Sequence, residues 1–368
     1  MRARSTVASL VVRAERVVDR RLSEYFRTRP GWGAVVSPYI SYGTTSQVHI
    51  RARVLLMRRD VDLSRPRLGL TAGLAHFLSV EIPDEPVSIS VAGHVRHASA
   101  GPEGYVEVTL SLPELEPGWH SVTFTLTREP SYSVTGRLLV VDPAAHLGVV
   151  SDIDDTIIHT GLTRLLDAVR TTLFVPEHGR TEIAGASQFY RGLVEGAGGH
   201  AQFFYVSTGA WNLHAVLQRF MVRHGFPEGP LLMTDWGPSG AWLFREASVA
   251  FKARVISRLV EEHPSLIWVL VGDSGQDDPA AYAAVARAHG DRLHAVYIRD
   301  VPPRSPVRAR EVRRLATELA DAGVTLLLVP DHAVAADHAH SIGLIDVESR
   351  DAVRAAVEGR APTASPSG

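Results

Sequence analysis

Five apolar segments separated by stretches of helical character dominate the second part of the chain. They read LGVVSD, AQFFYVS, LIWVLVGD, LHAVYIRD and VTLLLVP. Continuous apolar strands that alternate with helices are typical of a mostly parallel sheet with both faces covered. The sequence therefore predicts an α/β domain over residues 145–345, in which ligands bind at the carboxyl ends of the strands.

A different pattern occupies residues 30–144. The segments QVHIRARVLLM, PVSISVAGHV, GYVEVTLSL, GWHSVTFTLT and SVTGRLLVV alternate apolar and polar residues, with Pro and Gly between them. This alternation indicates half-buried strands, and short strands at such spacing predict an all-β, sandwich-like domain of the immunoglobulin-like sort.

Both ends of the chain also carry patterns. Residues 1–29 are predicted to form an amphipathic helix. We expect this helix to pack against the protein itself rather than to lie on an anionic membrane. Residues 346–368 are predicted to form a C-terminal helix and a disordered tail. The sequence has no run of 18 uncharged apolar residues, so we expect a cytoplasmic protein with at most peripheral membrane contact.

Composition excludes some classes of function. The formal net charge is −2, which argues against a general nucleic-acid binder because phosphate-backbone affinity needs a basic surface. Cysteine is absent, so a thiolate metal site and a thiol nucleophile are excluded. Of 38 basic residues, 37 are arginine and only Lys252 is lysine. Lys252 is either a lysine left by chance in a sequence whose codon bias favours arginine, or it occupies a site that needs a compact ammonium.

Polar side chains follow the predicted strands of the α/β domain where each strand ends. These residues are Asp152, Asp154, Thr156, Ser207 and Asp273. Several carboxylates brought together need a cation, and an all-oxygen set of ligands suits Mg²⁺. A lysine and a hydroxyl would then hold the oxygens of a phosphate group. The sequence thus predicts a magnesium ion and a phosphate ester at this edge of the sheet.

The same segments resemble, in order, the four motifs of the haloacid dehalogenase superfamily: DIDDT, a strand-end Ser207, Lys252 and GDSGQDD. They are closer still to the actin-patch-type phosphatidate phosphatase catalytic domain, with its strings SDIDDTI, YVSxxxWNL, FK and GDSGQxD. PYISYGTTSQVHIRARVLL is similar to the β-rich segment of bacterial members. The resemblance covers about residues 145–330 and implies a Rossmann-like sheet with a small cap following Thr156. TGAW stands where the family usually has SPW.

The resemblance also implies roles for individual residues. Asp152 would be the nucleophile that forms an aspartyl-phosphate, and Asp154 the general acid for the leaving alcohol and then the general base for water. Thr156 would support the turn of the motif. Ser207 and Lys252 would bind the phosphoryl group.

The resemblance implies that Asp152, the backbone carbonyl of Asp154, Asp273 and one further acid hold the Mg²⁺. Asp277 and Asp278 both fall at permitted spacings for the last ligand, and Asp278 is favoured because it matches the family string. Single aspartates at strand ends are commonly turn formers and helix caps. For Asp152 and Asp154 that alternative is weak, because two acids two positions apart repel each other.

The activity implied by the resemblance is Mg²⁺-dependent hydrolysis of phosphatidate, a phospholipid, to diacylglycerol and phosphate. Three alternatives stay open: a phosphatase for a soluble metabolite or phosphoprotein, transfer of the phosphoryl group to an acceptor other than water, and a non-catalytic phosphatidate-sensing module. Retention of both Asp152 and Asp154 speaks against the sensing module, because binding does not need the second acid. The oligomeric state and the purpose of the β domain are not predicted.

A group of histidines lies outside these motifs. His332, His338 and His340 occur within DHAVAADHAH and suggest a metal cluster. No motif places supporting acids near them, so surface positions are the favoured interpretation.

Overall fold

The structure is a computed structural model that describes residues 28–58, 80–101, 103–158, 182–210, 213–234, 245–301 and 305–359. The predicted N-terminal helix, most of the predicted cap and the predicted disordered tail lie outside the described residues. The chain forms two compact units, with the main boundary between Pro143 and Ala144. Within the described ranges, no helix combines the length and apolar character needed to cross a membrane.

The described residues of the first unit form nine strands. They are β1 (Trp32–Pro38), β2 (Ser41–Gly43), β3 (Gln47–Arg58), β4 (Val80–Glu81), β5 (Pro86–Val91), β6 (His94–Ser99), β7 (Tyr105–Ser111), β8 (Gly118–Leu126) and β9 (Glu129–Val140). Hydrogen bonds join them into one sheet in the order β1-β3-β2-β9-β8-β5-β6, with β4 and β7 also paired to β3. The predicted all-β region is therefore confirmed.

The core of this unit explains how one sheet provides sandwich-like packing. Ile50 and Val54 of β3 belong to the same buried cluster as Val87 of β5 and Phe124 of β8. In the strand order, β3 and β5 are separated by three other strands. The sheet therefore folds over a common core instead of forming two separate sheets.

The prediction for PVSISVAGHV is wrong in one respect, because this segment is a hairpin rather than one strand. β5 and β6 pair antiparallel across it, and the turn residues Ala92 and Gly93 have φ angles of 47° and 81°. Two successive residues with positive φ are typical of the type I′ hairpin turn, whose twist matches that of the strands.

The described residues of the second unit form six strands and seven α-helices. The strands are β10 (Leu147–Ser151), β11 (Gln202–Ala210), β12 (Leu231–Thr234), β13 (Ile267–Asp273), β14 (Leu293–Arg299) and β15 (Leu326–Val329). The helices are α1 (Ala186–Gly196), α2 (His214–Arg223), α3 (Arg245–Glu262), α4 (Asp278–His289), α5 (Pro306–Ala320), α6 (His332–Ser341) and α7 (Val347–Glu358). All five predicted strands are present, whereas the sequence reasoning missed β12.

The six strands are parallel and lie in the order β12-β11-β10-β13-β14-β15. Numbered along this unit, that order is 3-2-1-4-5-6, the order of doubly wound α/β folds. Fully buried residues such as Val149 and Val269 fill the two central strands, as expected for strands covered on both faces. The predicted parallel α/β sheet is therefore confirmed.

Side-chain caps fix where several helices begin. Ser305 accepts a hydrogen bond from the Arg308 N–H at the start of α5. Asp331 accepts from two N–H groups at the start of α6, and Asp346 accepts from the Ser349 N–H at the start of α7. Each cap satisfies backbone donors that the first helical turn leaves free. α7 lies within residues 346–368, the range for which the sequence predicted a C-terminal helix.

Candidate active site

The predicted motifs meet at the point where the strand order of the second unit reverses. β10 and β13 are neighbours in the sheet, and Asp152 directly follows β10 while Asp273 ends β13. The Asp152 N–H donates to the Val271 carbonyl at 2.9 Å, which ties the first loop to the end of β13. Ligands of doubly wound sheets bind in this crevice at the carboxyl ends of the strands.

A tight turn follows Asp152. The Thr156 N–H donates to the Ile153 carbonyl at 3.3 Å, and the Asp155 N–H donates to the Ile158 carbonyl at 2.9 Å. Asp155 has a φ angle of 55°, a left-handed conformation that costs a non-glycine residue about 1–2 kcal/mol. Thr156 is fully buried, and the role in supporting the turn that the resemblance implied for it stays a prediction.

Ser207 reaches the first loop from β11. Its hydroxyl donates to Asp154 Oδ2 at 3.4 Å and accepts from the Gly209 N–H at 2.9 Å. β11 lies next to β10 in the sheet, so the ends of the two strands are adjacent. The structure therefore brings together the serine and the second acid that the sequence predicted for one site.

Lys252 is the centre of the charge arrangement. It lies in α3, it is 1% exposed, and its Nζ donates to Asp152 Oδ1 at 2.7 Å and to Asp278 Oδ1. Burial by itself would lower the pKa of Lys252, but the charges of Asp152 and Asp278 outweigh burial and raise it. The ammonium therefore stays protonated.

Asp278, rather than Asp277, enters the site. Asp278 is fully buried, and its Oδ2 accepts the Asp273 N–H at 3.0 Å. Gly272 permits this approach, because a Cβ there would lie 2.6 Å from Asp278 Oδ2. Asp277 is the half-buried N-cap residue of α4.

Asp273 is itself held in place by its own loop. Its Oδ1 accepts the N–H groups of Gly275 at 2.5 Å and Gln276 at 3.2 Å.

Asp152, Asp273 and Asp278 each place a carboxylate oxygen within 4.8 Å of the other two. Burial, followed by repulsion from Asp278, raises the pKa values of Asp152 and Asp273 well above the usual range. One lysine does not neutralise three buried carboxylates.

These acids fit a divalent cation. Among the described residues, Asp152 Oδ2 and Asp273 Oδ2 are buried without a hydrogen-bond partner, an arrangement that normally costs free energy. A hard cation would satisfy both oxygens and offset the excess negative charge. Both oxygens of Asp278, in contrast, already accept hydrogen bonds.

The contacts that two residues, Ser151 and Arg299, make around the site were missed by the sequence reasoning. Ser151 donates to the Asp152 carbonyl at 2.5 Å, and its hydroxyl also lies 2.6 Å from the Tyr190 hydroxyl. Arg299, at the end of β14, donates from Nε and one Nη to the Asp155 carbonyl at 2.8 and 2.5 Å. The position of Arg299 at the end of LHAVYIRD was the available signal, since that segment was predicted as a strand of the same sheet.

The surface interpretation of the histidines is wrong for His332, which is 3% exposed. Burial, and secondarily the charge of Arg299, lowers the pKa of His332 to about 3, so its ring is neutral. His338 pairs with the Tyr297 hydroxyl at 2.9 Å, and His340 with the Ile345 carbonyl at 3.1 Å. Over the described ranges, the three histidines do not form a group able to share a metal ion.

The comparisons with known proteins concern this same region. Residues 147–300 match the family model described as the catalytic domain of phosphatidate phosphatase APP1. Phosphatidate phosphatase APP1 of Saccharomyces cerevisiae is 29% identical over 176 residues, 46% of this chain and 30% of that protein. An uncharacterized protein of Schizosaccharomyces pombe is 27% identical over 159 residues, 42% of this chain and 25% of that protein. The chain therefore spans less than a third of the length of these curated relatives.

Solved structures give weaker likenesses. A carbohydrate acetylesterase from Xanthomonas citri is 11% identical, with 77% of this chain and 74% of that chain covered and a TM-score of 0.27. A CARDB domain from Pyrococcus furiosus is 13% identical, with 30% of this chain and 92% of that chain covered and a TM-score of 0.17. Sequence identities and TM-scores this low give no information about function. The predicted similarity to the phosphatidate phosphatase catalytic domain is confirmed, and the matched residues contain every acid of the candidate site.

Proposed function

We propose that the α/β unit is the catalytic domain of a Mg²⁺-dependent phosphomonoester hydrolase of the haloacid dehalogenase type, with phosphatidate as its substrate. The observation that carries this proposal is Asp152, which is buried against Lys252 and has one oxygen left for a cation. This aspartate lies inside the region that matches a phosphatase catalytic domain. The cation and substrate classes are proposed on the strength of the same match and of the three clustered acids.

Asp152 acts as the nucleophile in this proposal. One of its carboxylate oxygens attacks phosphorus, the bond from phosphorus to the ester oxygen breaks, and the products are an aspartyl-phosphate and an alcohol. Asp154 gives its proton to the departing oxygen. Asp154 then removes a proton from water, the water oxygen attacks phosphorus, and the acyl-phosphate bond breaks to release phosphate and restore Asp152.

The neighbouring residues stabilise charge. The charge of Lys252 opposes the rise in the pKa of Asp152 that burial causes, and its ammonium lies where it can also contact a phosphoryl oxygen. The Ser207 hydroxyl donates to Asp154 in the structure and would turn its single donor to a phosphoryl oxygen when the substrate binds. Asp152, Asp273 and the backbone carbonyl of Asp154 would hold the Mg²⁺, with Asp278 in support. When bound, Mg²⁺ would polarise phosphoryl oxygens and offset the negative charge that gathers at phosphorus.

The phosphatidate assignment rests on the similarity to phosphatidate phosphatase APP1 of yeast and on the family match. A soluble phosphate ester would use the same chemistry, and phosphoryl transfer to another acceptor would differ only in its second step. A phosphatidate-sensing module needs phosphate-binding residues but no general acid. The contact between Asp154 and Ser207 favours catalysis over sensing.

The test is phosphate release from phosphatidate in mixed micelles and from p-nitrophenyl phosphate, with Mg²⁺ or EDTA. Asp152→Asn removes the nucleophile, and Asp277→Asn is the matched control because Asp277 is the adjacent N-cap residue of α4 and is not one of the three clustered acids. We expect Mg²⁺-dependent turnover of both esters that Asp152→Asn abolishes and Asp277→Asn retains. Turnover of the small ester alone would refute phosphatidate as substrate, and binding of phosphatidate without turnover would refute catalysis.

Peripheral membrane contact is a separate part of the proposal. Flotation with liposomes that contain phosphatidate, using the full chain and a form that lacks residues 1–29, measures it directly. Flotation of the full chain but not of the shortened form would assign membrane binding to the amphipathic segment. Absence of flotation for both forms would favour a soluble substrate.

A further inference from the structure

Arg299 joins the two loops that carry the site acids. Its side chain donates two hydrogen bonds to the Asp155 carbonyl, at 2.8 and 2.5 Å. Its backbone carbonyl accepts the Ser274 N–H at 2.8 Å, directly after Asp273. β14 is not a neighbour of β10, because β13 lies between them. The arginine therefore reaches past the end of one strand to hold a loop that belongs to another.

The carbonyl that Arg299 holds belongs to the strained residue of the turn. Asp155 has a φ angle of 55°, and such a conformation persists when surrounding contacts enforce it. Asp154 immediately precedes this residue, so rotation of the Asp155 peptide would move the Asp154 carboxylate. A guanidinium presents two donors in a fixed plane, which restrains the orientation of the carbonyl as well as its position.

We infer that Arg299 is a positioning residue that holds the Asp154–Asp155 turn and thereby aims the Asp154 carboxyl at the ester oxygen. This inference rests on the proposed function. The guanidinium of Arg299 binds the turn through the Asp155 carbonyl. Its effect passes through one carbonyl to the general acid.

This role predicts a dependence on the leaving group. An alkoxide leaving group needs a proton from the general acid, whereas p-nitrophenolate leaves readily without one, so a misplaced acid slows alkyl esters more than aryl esters. A displacement of about 1 Å can cost on the order of 10²-fold in rate. For Arg299→Met we expect kcat on phosphatidate to fall at least about tenfold further than kcat on p-nitrophenyl phosphate. Asp154→Asn should shift the same ratio in the same direction.

Arg292 offers a matched control at the other end of the same strand. It precedes β14 and donates to the carbonyls of His263, Pro264 and Leu266 at 3.2, 2.5 and 2.6 Å. Arg292→Met therefore also removes an arginine that binds carbonyls, but away from the carboxyl ends of the strands. We expect it to leave the ratio of the two kcat values unchanged. Arg299→Lys keeps one donor group, so the ratio of the two kcat values should return part of the way towards that of wild type.

Amide hydrogen exchange of residues 150–158 provides a readout that does not depend on activity. Arg299→Met should increase exchange in this turn while Arg292→Met does not. Unchanged exchange in the turn, or an equal loss of kcat on both esters, would overturn the inference. If wild type hydrolyses neither ester, the proposed function fails, and exchange still decides whether Arg299 holds the turn.

Discussion

Replacement of Lys252 by methionine tests the charge arrangement of the site most directly. Methionine keeps much of the length and volume of the lysine stem and removes only the ammonium. The lysine is 1% exposed and bonds to Asp152 and Asp278, which are equally buried. Loss of one member of a buried ion pair costs about 3–5 kcal/mol, because the remaining charge is left without a partner.

This loss translates into a measurable change in melting temperature. For a unit of this size, each kcal/mol shifts Tm by about 2–4 °C, so metal-free Lys252→Met should melt roughly 6–20 °C below wild type at pH 8. The deficit should shrink towards pH 5, because protonation of the buried acids replaces the missing positive charge. Differential scanning calorimetry in EDTA at both pH values measures it.

Two further variants make the test specific. Arg258→Met removes a partly exposed arginine of the same helix, whose Nε lies 3.9 Å from Glu262, and should cost well under about 1 kcal/mol. The double variant Lys252→Met with Asp278→Asn should recover part of the deficit, because it removes one of the uncompensated charges. A single variant whose Tm stays within about 2 °C of wild type at pH 8 would refute the buried ion-pair network.

Three other outcomes follow from the structure. The raised pKa values of Asp152 and Asp273 contribute stability that is present below about pH 4 and is lost as pH rises through the native pKa values. Mg²⁺ should therefore raise Tm more at pH 8 than at pH 5. An equal shift in Tm at the two pH values would contradict this. Asp278→Asn should lower kcat about 10–100-fold, as loss of a group that orients a ligand commonly does, whereas Asp277→Asn should change it less than about twofold. Ala92→Asn should stabilise the first unit by about 1 kcal/mol in urea unfolding, because asparagine tolerates the positive φ of this hairpin turn better than alanine.

Local patterns predicted most of the elements in the described ranges. The apolar runs that became β10 and β13 contain no polar interruption, so neither could lie at a solvent-exposed edge. β12 was missed because four residues are too few to show a period. The hairpin after β5 was missed because Ala-Gly is a weak turn signal beside Asn-Gly, although Gly93 marked the position.

Site residues were predictable where their chemistry was unusual for their position. Asp152 and Asp154 stood out because two acids two positions apart repel each other at the tip of a buried strand. Lys252 stood out through composition alone, and the structure gives it two buried carboxylate partners. Arg299 did not stand out, since it is one of 37 arginines and its partner is a backbone carbonyl 144 positions away.

The sequence by itself determined that acids and a hydroxyl follow the strands of a parallel sheet, and that the single lysine lies in a helical segment ahead of one of those strands. Strand periodicity and strand-end chemistry are local properties, and a few consecutive residues are enough to carry them. The tertiary structure decided that β10 and β13 are neighbours, that Asp278 rather than Asp277 meets Lys252, and that Arg299 holds the Asp155 carbonyl. These features are contacts between residues that are distant in the chain, or they depend on the residue at which a helix begins. They are fixed by strand order and packing, which no short stretch of sequence encodes.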